Sequence, residues 1–364
     1  MNDKLILDGH KLNWHKDRVE AWLAGERIAP ITIDCALTRS CNYRCVYCYG
    51  QLQNNYSRQL PQDVIYRFLD DAADIGVKGI SFVSDGESTC SPHLYNAIIR
   101  GHTNGIDMAL GTNGYALRYD RLEQMLGHLT YLRFNISAAE PMRYAEIMGC
   151  KPEFFDVVYN KIRACVLIKE RYQLPVTIGI QMVLLPDFAD QIIPLTTIGK
   201  DLGVDYLVIK HCSDDEDGSL GVDYHGYYRL IDTLKRAELQ SNEKYSVQVK
   251  WSKILSDGNR KYDRCYGPPF IIQLSGSGLV APCGMLFGNK YKKYHIGNIA
   301  DSSFKELWQG ERYWEVMDLL ASDQFDPHTM CGCLCLQHKV NEYLYDLKHN
   351  NGTNGYMPQH VNFI

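Results

Sequence analysis

The chain has 364 residues, enough for one large domain or two modest ones. Apolar residues make up 45% and charged residues 22%, an ordinary soluble-enzyme balance, and a net charge of -5 gives no broad basic face for nucleic acid. The opening "MNDKLILDGHKLNWHKD" lacks the charged and apolar pattern of a secretory signal, and no window approaches the apolar length of a membrane span, so a cytoplasmic setting is expected.

Residues 1–30 read as an N-terminal extension, with "HKLNWHKDRVEAWLAG" as an amphipathic helix packed on the main body. Residues 31–212 alternate β-rich runs with helical stretches. The runs are "ITIDCAL" (31–37), "GISFVS" (79–84), "IDMALG" (106–111), "LTYLRFNIS" (129–137), "PVTIGIQMVLL" (175–185) and "VDYLVIK" (204–210). Between the first two, Val64, Ile65, Phe68, Leu69, Ala72 and Ile75 recur at helical spacing, with Pro61 to open the helix and Gly76 to close it. Six such units predict an α/β fold of parallel strands with right-handed crossovers, either an open barrel or a doubly wound sheet. In both, polar residues just past the strand C-termini line the site.

Residues 213–262 read as a connecting segment: the acidic "HCSDDEDGSLGVDYHG" region, a helix near 223–240 and a strand at 245–250. Residues 263–340 form a small α+β unit, in which "PPFIIQLSGSGLVAPC" is a hairpin around Ser-Gly-Ser-Gly and "SFKELWQGERYWEVMDLL" one or two short helices. That unit is too small to bury a large core alone, so a metal staple is physically reasonable. Residues 341–364 are expected to be a C-terminal helix and tail, with "HNNGTNGYMPQH" a loop.

Thirteen cysteines, an odd number, argue against a disulfide framework. Cys35, Cys90, Cys150, Cys165 and Cys212 are scattered and read first as small buried hydrophobes. The other eight are grouped. Cys41, Cys45 and Cys48 follow directly on the first predicted strand, and one loop so spaced can ligate three corners of a 4Fe–4S cubane. The fourth iron then has no protein ligand, and an open position is where a metal site does chemistry. A zinc or ferredoxin-like site completed by a distant residue is the alternative.

"SCNYRCVYCYG", with C-x-x-x-C-x-x-C and Tyr47 before the last cysteine, resembles the radical S-adenosylmethionine (radical SAM) superfamily. The resemblance implies a partial (β/α)6 barrel. It also implies that the amino and carboxylate groups of SAM chelate the open iron. A 5′-deoxyadenosyl radical then abstracts hydrogen from substrate, with electrons from a flavodoxin- or ferredoxin-type donor. Further segments follow the family in order. "SDGES" stands where a GGEP segment holds the SAM amino group, keeping Gly86 and Glu87 with Asp85 in place of the first glycine. "GTNGY" supplies Thr112 and Asn113, "LRFNIS" supplies Asn135 and Ser137, and "GIQMVLL" supplies Gln181; these, with Tyr47, are the implied SAM contacts.

Cys265 and Cys283 flank the hairpin, and "CGCLC" adds Cys331, Cys333 and Cys335. This region resembles the shortened SPASM, or twitch, domain, which implies a second, auxiliary 4Fe–4S cluster with four thiolate ligands. The run has one thiol too many. All five cysteines are candidates, with Cys331 and Cys335 favoured and Cys333 spare; zinc is the other metal such a set would take.

The sixth run ends in Lys210, His211 and Cys212, the candidate catalytic residues at the barrel mouth. A thiol there could return a hydrogen atom to a substrate radical, as a redox-neutral epimerase requires. An auxiliary cluster could instead accept an electron, as dehydrogenation requires. The expected substrate is a small polar molecule: a sugar, aminocyclitol or nucleotide-sugar. A peptide maturase is the alternative, although 30 residues ahead of the first strand are few for a leader-binding segment. A non-enzymatic metal protein is a third reading. The acidic run Asp214–Asp217 is either a solvated loop or a contact for a cationic amino sugar.

Overall fold

The computed structural model describes residues 5–55, 59–349 and 358–364. Its centre is one ten-stranded sheet. The strands are β1 (Thr32–Cys35), β2 (Gly79–Phe82), β3 (Asp107–Thr112), β4 (Tyr131–Asn135), β5 (Thr177–Leu184), β6 (Tyr206–His211), β7 (Ser246–Val249), β8 (Ile271–Leu274), β9 (Leu279–Ala281) and β10 (Gly297–Asn298). From β1 to β7 each strand lies parallel to the next, so the six expected units form a partial barrel that a seventh strand extends. The helix over Gln62–Ile75 begins after Pro61 and ends at Gly76, whose φ of 92° is a left-handed turn that favours glycine.

The C-terminal hairpin is continuous with this sheet. β8 pairs in parallel with the free side of β1, Thr32 opposite Ile271 and Cys35 opposite Leu274, and β9 and β10 follow antiparallel. The predicted short helices are two, Phe304–Gln309 and Glu311–Ala321, the first opened by a Ser303/Glu306 capping box. The N-terminal helix, Lys16–Leu23, sends Val19 into a satellite core with Phe270, Val340 and Leu344. Among the described residues no helix is long and apolar enough to cross a membrane. Within "HNNGTNGYMPQH", residues 350–357 lie outside the described residues.

Strand side chains alternate between faces, and that alternation creates the interior. Ile33, Leu132, Phe134, Ile180, Leu207, Ile209 and Ile272 are buried in the main core beneath the helices. Asp34, Arg133, Gln181, Lys210 and Gln273, on the opposite face, line cavities in the barrel lumen. The lumen is polar, walled by a dry outer layer.

Residues 358–364 cap the end of the lumen where the strands begin. Thr32 Oγ1 donates to the Asn362 carbonyl at 2.6 Å, His15 Nε2 meets the Val361 carbonyl at 2.8 Å, and His360 Nε2 meets Thr177 Oγ1 at 2.7 Å. Burial, with Lys11 nearby, pushes His360 down from its ordinary 6.5 to about 4. Burial does the same to His10, again to about 4. These rings are neutral in the fold but protonate in the unfolded chain below pH 6.5, so their contribution is present above that pH and is lost as pH falls toward 4. Acidifying from pH 7 to 5 should therefore cost about 1 kcal/mol per histidine and lower the melting temperature by a few degrees. His360→Gln should flatten that dependence in a calorimetric pH series; an unchanged slope would show that the ring does not titrate there.

Candidate active site

The loop after β1 is held on every side by backbone. Arg44 N–H donates to the Gly149 carbonyl at 3.2 Å and Val46 N–H to the Ile147 carbonyl at 3.0 Å, tying it to the helix over Pro141–Met148. At its start, Thr38 and Arg39 meet two glycines. A methyl group on Gly86 would strike the Thr38 carbonyl oxygen, and one on Gly276 would strike the same carbonyl. The Asp-Gly-Glu and Ser-Gly-Ser-Gly turns therefore owe their glycines to close approach of three backbones.

Cys41 is exposed at this loop, and Cys45 and Cys48 are half-buried. Cys45 lies within electrostatic reach of both others. The Tyr47 hydroxyl donates to Met148 Sδ at 3.0 Å, so its ring anchors the loop against the barrel.

Glu87 joins three loops. Its carboxylate accepts from Thr89 N–H at 3.0 Å and from Thr89 Oγ1, Thr112 Oγ1 and Asn113 N–H, each at 2.7 Å. Asn113 Nδ2 then donates to Asn42 Oδ1, inside the cysteine loop, at 2.8 Å. Asp85 is occupied otherwise than the resemblance implies. It pairs with Arg39 at 3.1 Å and accepts from Ser275 Oγ at 2.5 Å and Gly276 N–H at 2.8 Å, locking the hairpin turn to the cysteine loop. Gln181 Nε2 donates to Asn135 Oδ1 at 3.1 Å in the lumen, and Ser137 Oγ accepts from Val183 N–H at 3.1 Å.

Lys210, His211 and Cys212 do not share the mouth. Lys210 lines the lumen, and alternation turns His211 outward. There it is fully buried beside the Tyr224 and Tyr227 rings, with neither ring nitrogen hydrogen-bonded. Cys212 is also fully buried, and its Sγ donates to the carbonyls of Tyr47 and Ser213, each at 3.5 Å. The acidic run is satisfied internally: Lys290 holds Glu216 at 2.9 Å and Asp217 at 2.8 Å, while Asp215 accepts from Ser219.

The second cysteine group separates four from one. Cys265, Cys283, Cys331 and Cys335 line one pocket with Leu286, Leu320 and Phe325. Arg260 Nη1 donates to Cys331 Sγ at 3.4 Å, and Asn341 Nδ2 to Cys265 Sγ at 3.6 Å. Such donors stabilise sulfur as thiolate. Cys333 is elsewhere: the run is a succession of bends rather than a strand, and its Sγ sits against the Tyr224 hydroxyl and Asp214 N–H. Sequence reasoning missed Arg260 and Asn341, which no local motif marks. Among the described residues no group of three or more His, Cys, Asp or Glu is arranged around a single ion.

The Radical SAM superfamily model matches residues 36–193, and the model of the SPASM iron–sulfur cluster-binding domain matches residues 265–335. The AdoMet-dependent heme synthase of Methanosarcina barkeri is 24% identical over 336 residues, 86% of this chain and 90% of its own. The tungsten-containing aldehyde ferredoxin oxidoreductase cofactor-modifying protein of Pyrococcus furiosus is 22% identical over 297 residues, 76% of this chain and 80% of its own. Streptococcus suis SuiB bound to S-adenosylmethionine has the same fold, with a TM-score of 0.64 and 17% identity over 84% of this chain and 72% of SuiB.

The family brings a 4Fe–4S cluster, SAM and an auxiliary iron–sulfur cluster. The donor sets fit: three thiols on one glycine-clamped loop would leave one iron open, and four thiols with apolar walls would close a second site. Together the two models match more than half of the 364 residues, and the chain belongs to the radical SAM superfamily, with a C-terminal SPASM-type domain.

Proposed function

We propose that this chain dehydrogenates a small polar substrate, such as a sugar, aminocyclitol or nucleotide-sugar, held in the barrel lumen. SAM at the open iron would supply the radical that takes a hydrogen atom, and the auxiliary cluster would accept the electron that follows, with a flavodoxin- or ferredoxin-type protein as donor. One observation carries the choice of oxidation over epimerisation. The lumen cavity of about 90 Å³ is lined by Cys283 and Cys335 together with Gln181, Lys210 and Gln273. Two auxiliary-site cysteines thus line the chamber, whereas Cys212, the candidate hydrogen donor, does not.

Gln181 and Gln273 present amide groups that can orient hydroxyls of a polyol. Tyr49 and Met285 wall both the lumen cavity and an adjoining cleft of about 250 Å³, which gives the remainder of a small molecule room. Loss of the abstracted hydrogen, one electron and the hydroxyl proton converts a secondary alcohol to a ketone, which balances the reaction.

Anaerobic, reconstituted enzyme with SAM, dithionite and a panel of polyols in deuterated solvent tests this reading. One 5′-deoxyadenosine per ketone formed, with no solvent deuterium on carbon, is expected. A product of unchanged oxidation state bearing solvent deuterium would overturn it in favour of epimerisation.

A further inference from the structure

Four cations converge on the lumen cavity: Arg133 from β4, Lys210 from β6, and Lys250 and Lys253 from the segment after β7. Among its lining residues there is no Asp or Glu. Lys253 is committed, donating to the Leu334 and Cys335 carbonyls at 3.0 and 2.9 Å, beside the auxiliary thiols. The other three have no such partners. Lys210 Nζ and Lys250 Nζ meet no hydrogen-bond acceptor among the described residues, and Arg133 Nε is buried without one.

Two carboxyls lie near enough to be felt. Asp34 lines the adjoining lower cavity, toward Arg133 and Lys210; burial raises its carboxyl to about 7, so it balances at most one charge of three. Asp8, near Lys250, accepts from Ser252 N–H at 2.8 Å and Ser252 Oγ at 2.5 Å. The cations repel one another, and burial with neighbouring cations drives Lys210 below its ordinary value and Lys250 down to about 7. A fold does not gain stability by facing three such groups into one chamber.

We infer that the lumen is an oxyanion-binding chamber, in which Lys210, Lys250 and Arg133 grip a phosphate or carboxylate of the substrate. This rests on the reading that substrate enters the lumen, and it narrows the substrate class from polar to anionic. A chamber of about 90 Å³ takes the charged end of a molecule rather than the whole. Arg133 offers a planar fork suited to two oxygens of one anion, and the lysines add point charges. The acidic run lies outside this chamber, with Glu216 and Asp217 paired to Lys290.

The test is calorimetric titration of SAM-saturated, reconstituted protein with inorganic phosphate, with succinate, and with choline chloride as a cationic control. At least one anion should bind and choline should not; phosphate preference indicates a phosphorylated substrate, succinate preference a carboxylated one. Lys210→Met should weaken anion binding by at least about tenfold and Lys210→Arg by less than about threefold, with iron content and SAM affinity held. Lys210→Met should also melt at or above the wild-type temperature, because an unpaired buried charge is removed. Lys250→Met supplies the same readouts if the first variant does not fold. The inference is overturned if neither anion binds the SAM-saturated protein or if Lys210→Met binds as wild type does. Binding is read without turnover, so anion binding without ketone formation would contradict the proposed reaction alone, and oxidation of a neutral polyol without anion binding would contradict this inference alone.

Discussion

Replacing Gly86 with alanine is expected to remove the iron held by Cys41, Cys45 and Cys48, leaving the auxiliary iron in place. The added carbon would lie against the Thr38 carbonyl oxygen and 2.9 Å from Arg39 Cα, both backbone atoms of the cysteine loop. Those atoms cannot retreat, because Gly276 closes on Thr38 as well and Asp85 ties Arg39 and the hairpin turn together. Overpacking of this kind costs about 1–3 kcal/mol where the surroundings yield. Here the loop that would yield is the one whose three sulfurs must keep their spacing. Iron should fall from about eight to about four atoms per chain. Gly127→Ala is the control: its nearest neighbours would be 3.6 Å away and its φ is −68°, so iron and melting temperature should stay at wild-type values. Full iron in the Gly86 variant would show that the three-backbone contact does not fix the loop.

The second large effect separates the five C-terminal cysteines. Cys331→Ser and Cys335→Ser should each lose the auxiliary cluster, about four irons, while Cys333→Ser keeps all of them. The four pocket thiols are backed by Arg260 and Asn341, and Cys333 is engaged by Tyr224 and Asp214 on the far side of the run. Loss of the pocket ligands should also destabilise the C-terminal unit strongly, because a metal site of this type contributes folding energy directly. Iron and sulfide analysis with thermal melts decides the matter; loss of iron in the Cys333 variant, equal to that in the other two, would contradict the assignment.

Much of the fold was legible in the chain. The six β-rich runs became six neighbouring parallel strands because short apolar runs alternating with capped amphipathic helices admit few other arrangements. The family was legible for a similar reason: its cysteine motif is compact in sequence. What sequence hid was three-dimensional in origin. Lys210, His211 and Cys212 are adjacent in the chain, yet strand alternation sends the first into the lumen and the second out of it. Asp85 looked like a ligand contact, but the hairpin turn that claims it lies 190 residues along the chain. The acidic run could not reveal that Lys290 would pair with two of its members, Glu216 and Asp217. The lumen cations come from three separate segments, so no local window contains them.

The account depends on an iron cluster with one corner left for SAM, carried by Cys41, Cys45 and Cys48. Electron paramagnetic resonance of the reduced, anaerobic protein, recorded with and without SAM, tests it most directly. The wild-type spectrum should shift on adding SAM. The variant with all three cysteines changed to alanine should hold about four irons instead of about eight and show no response to SAM. A wild-type spectrum unmoved by SAM, or a triple variant that keeps its full iron, would contradict the account.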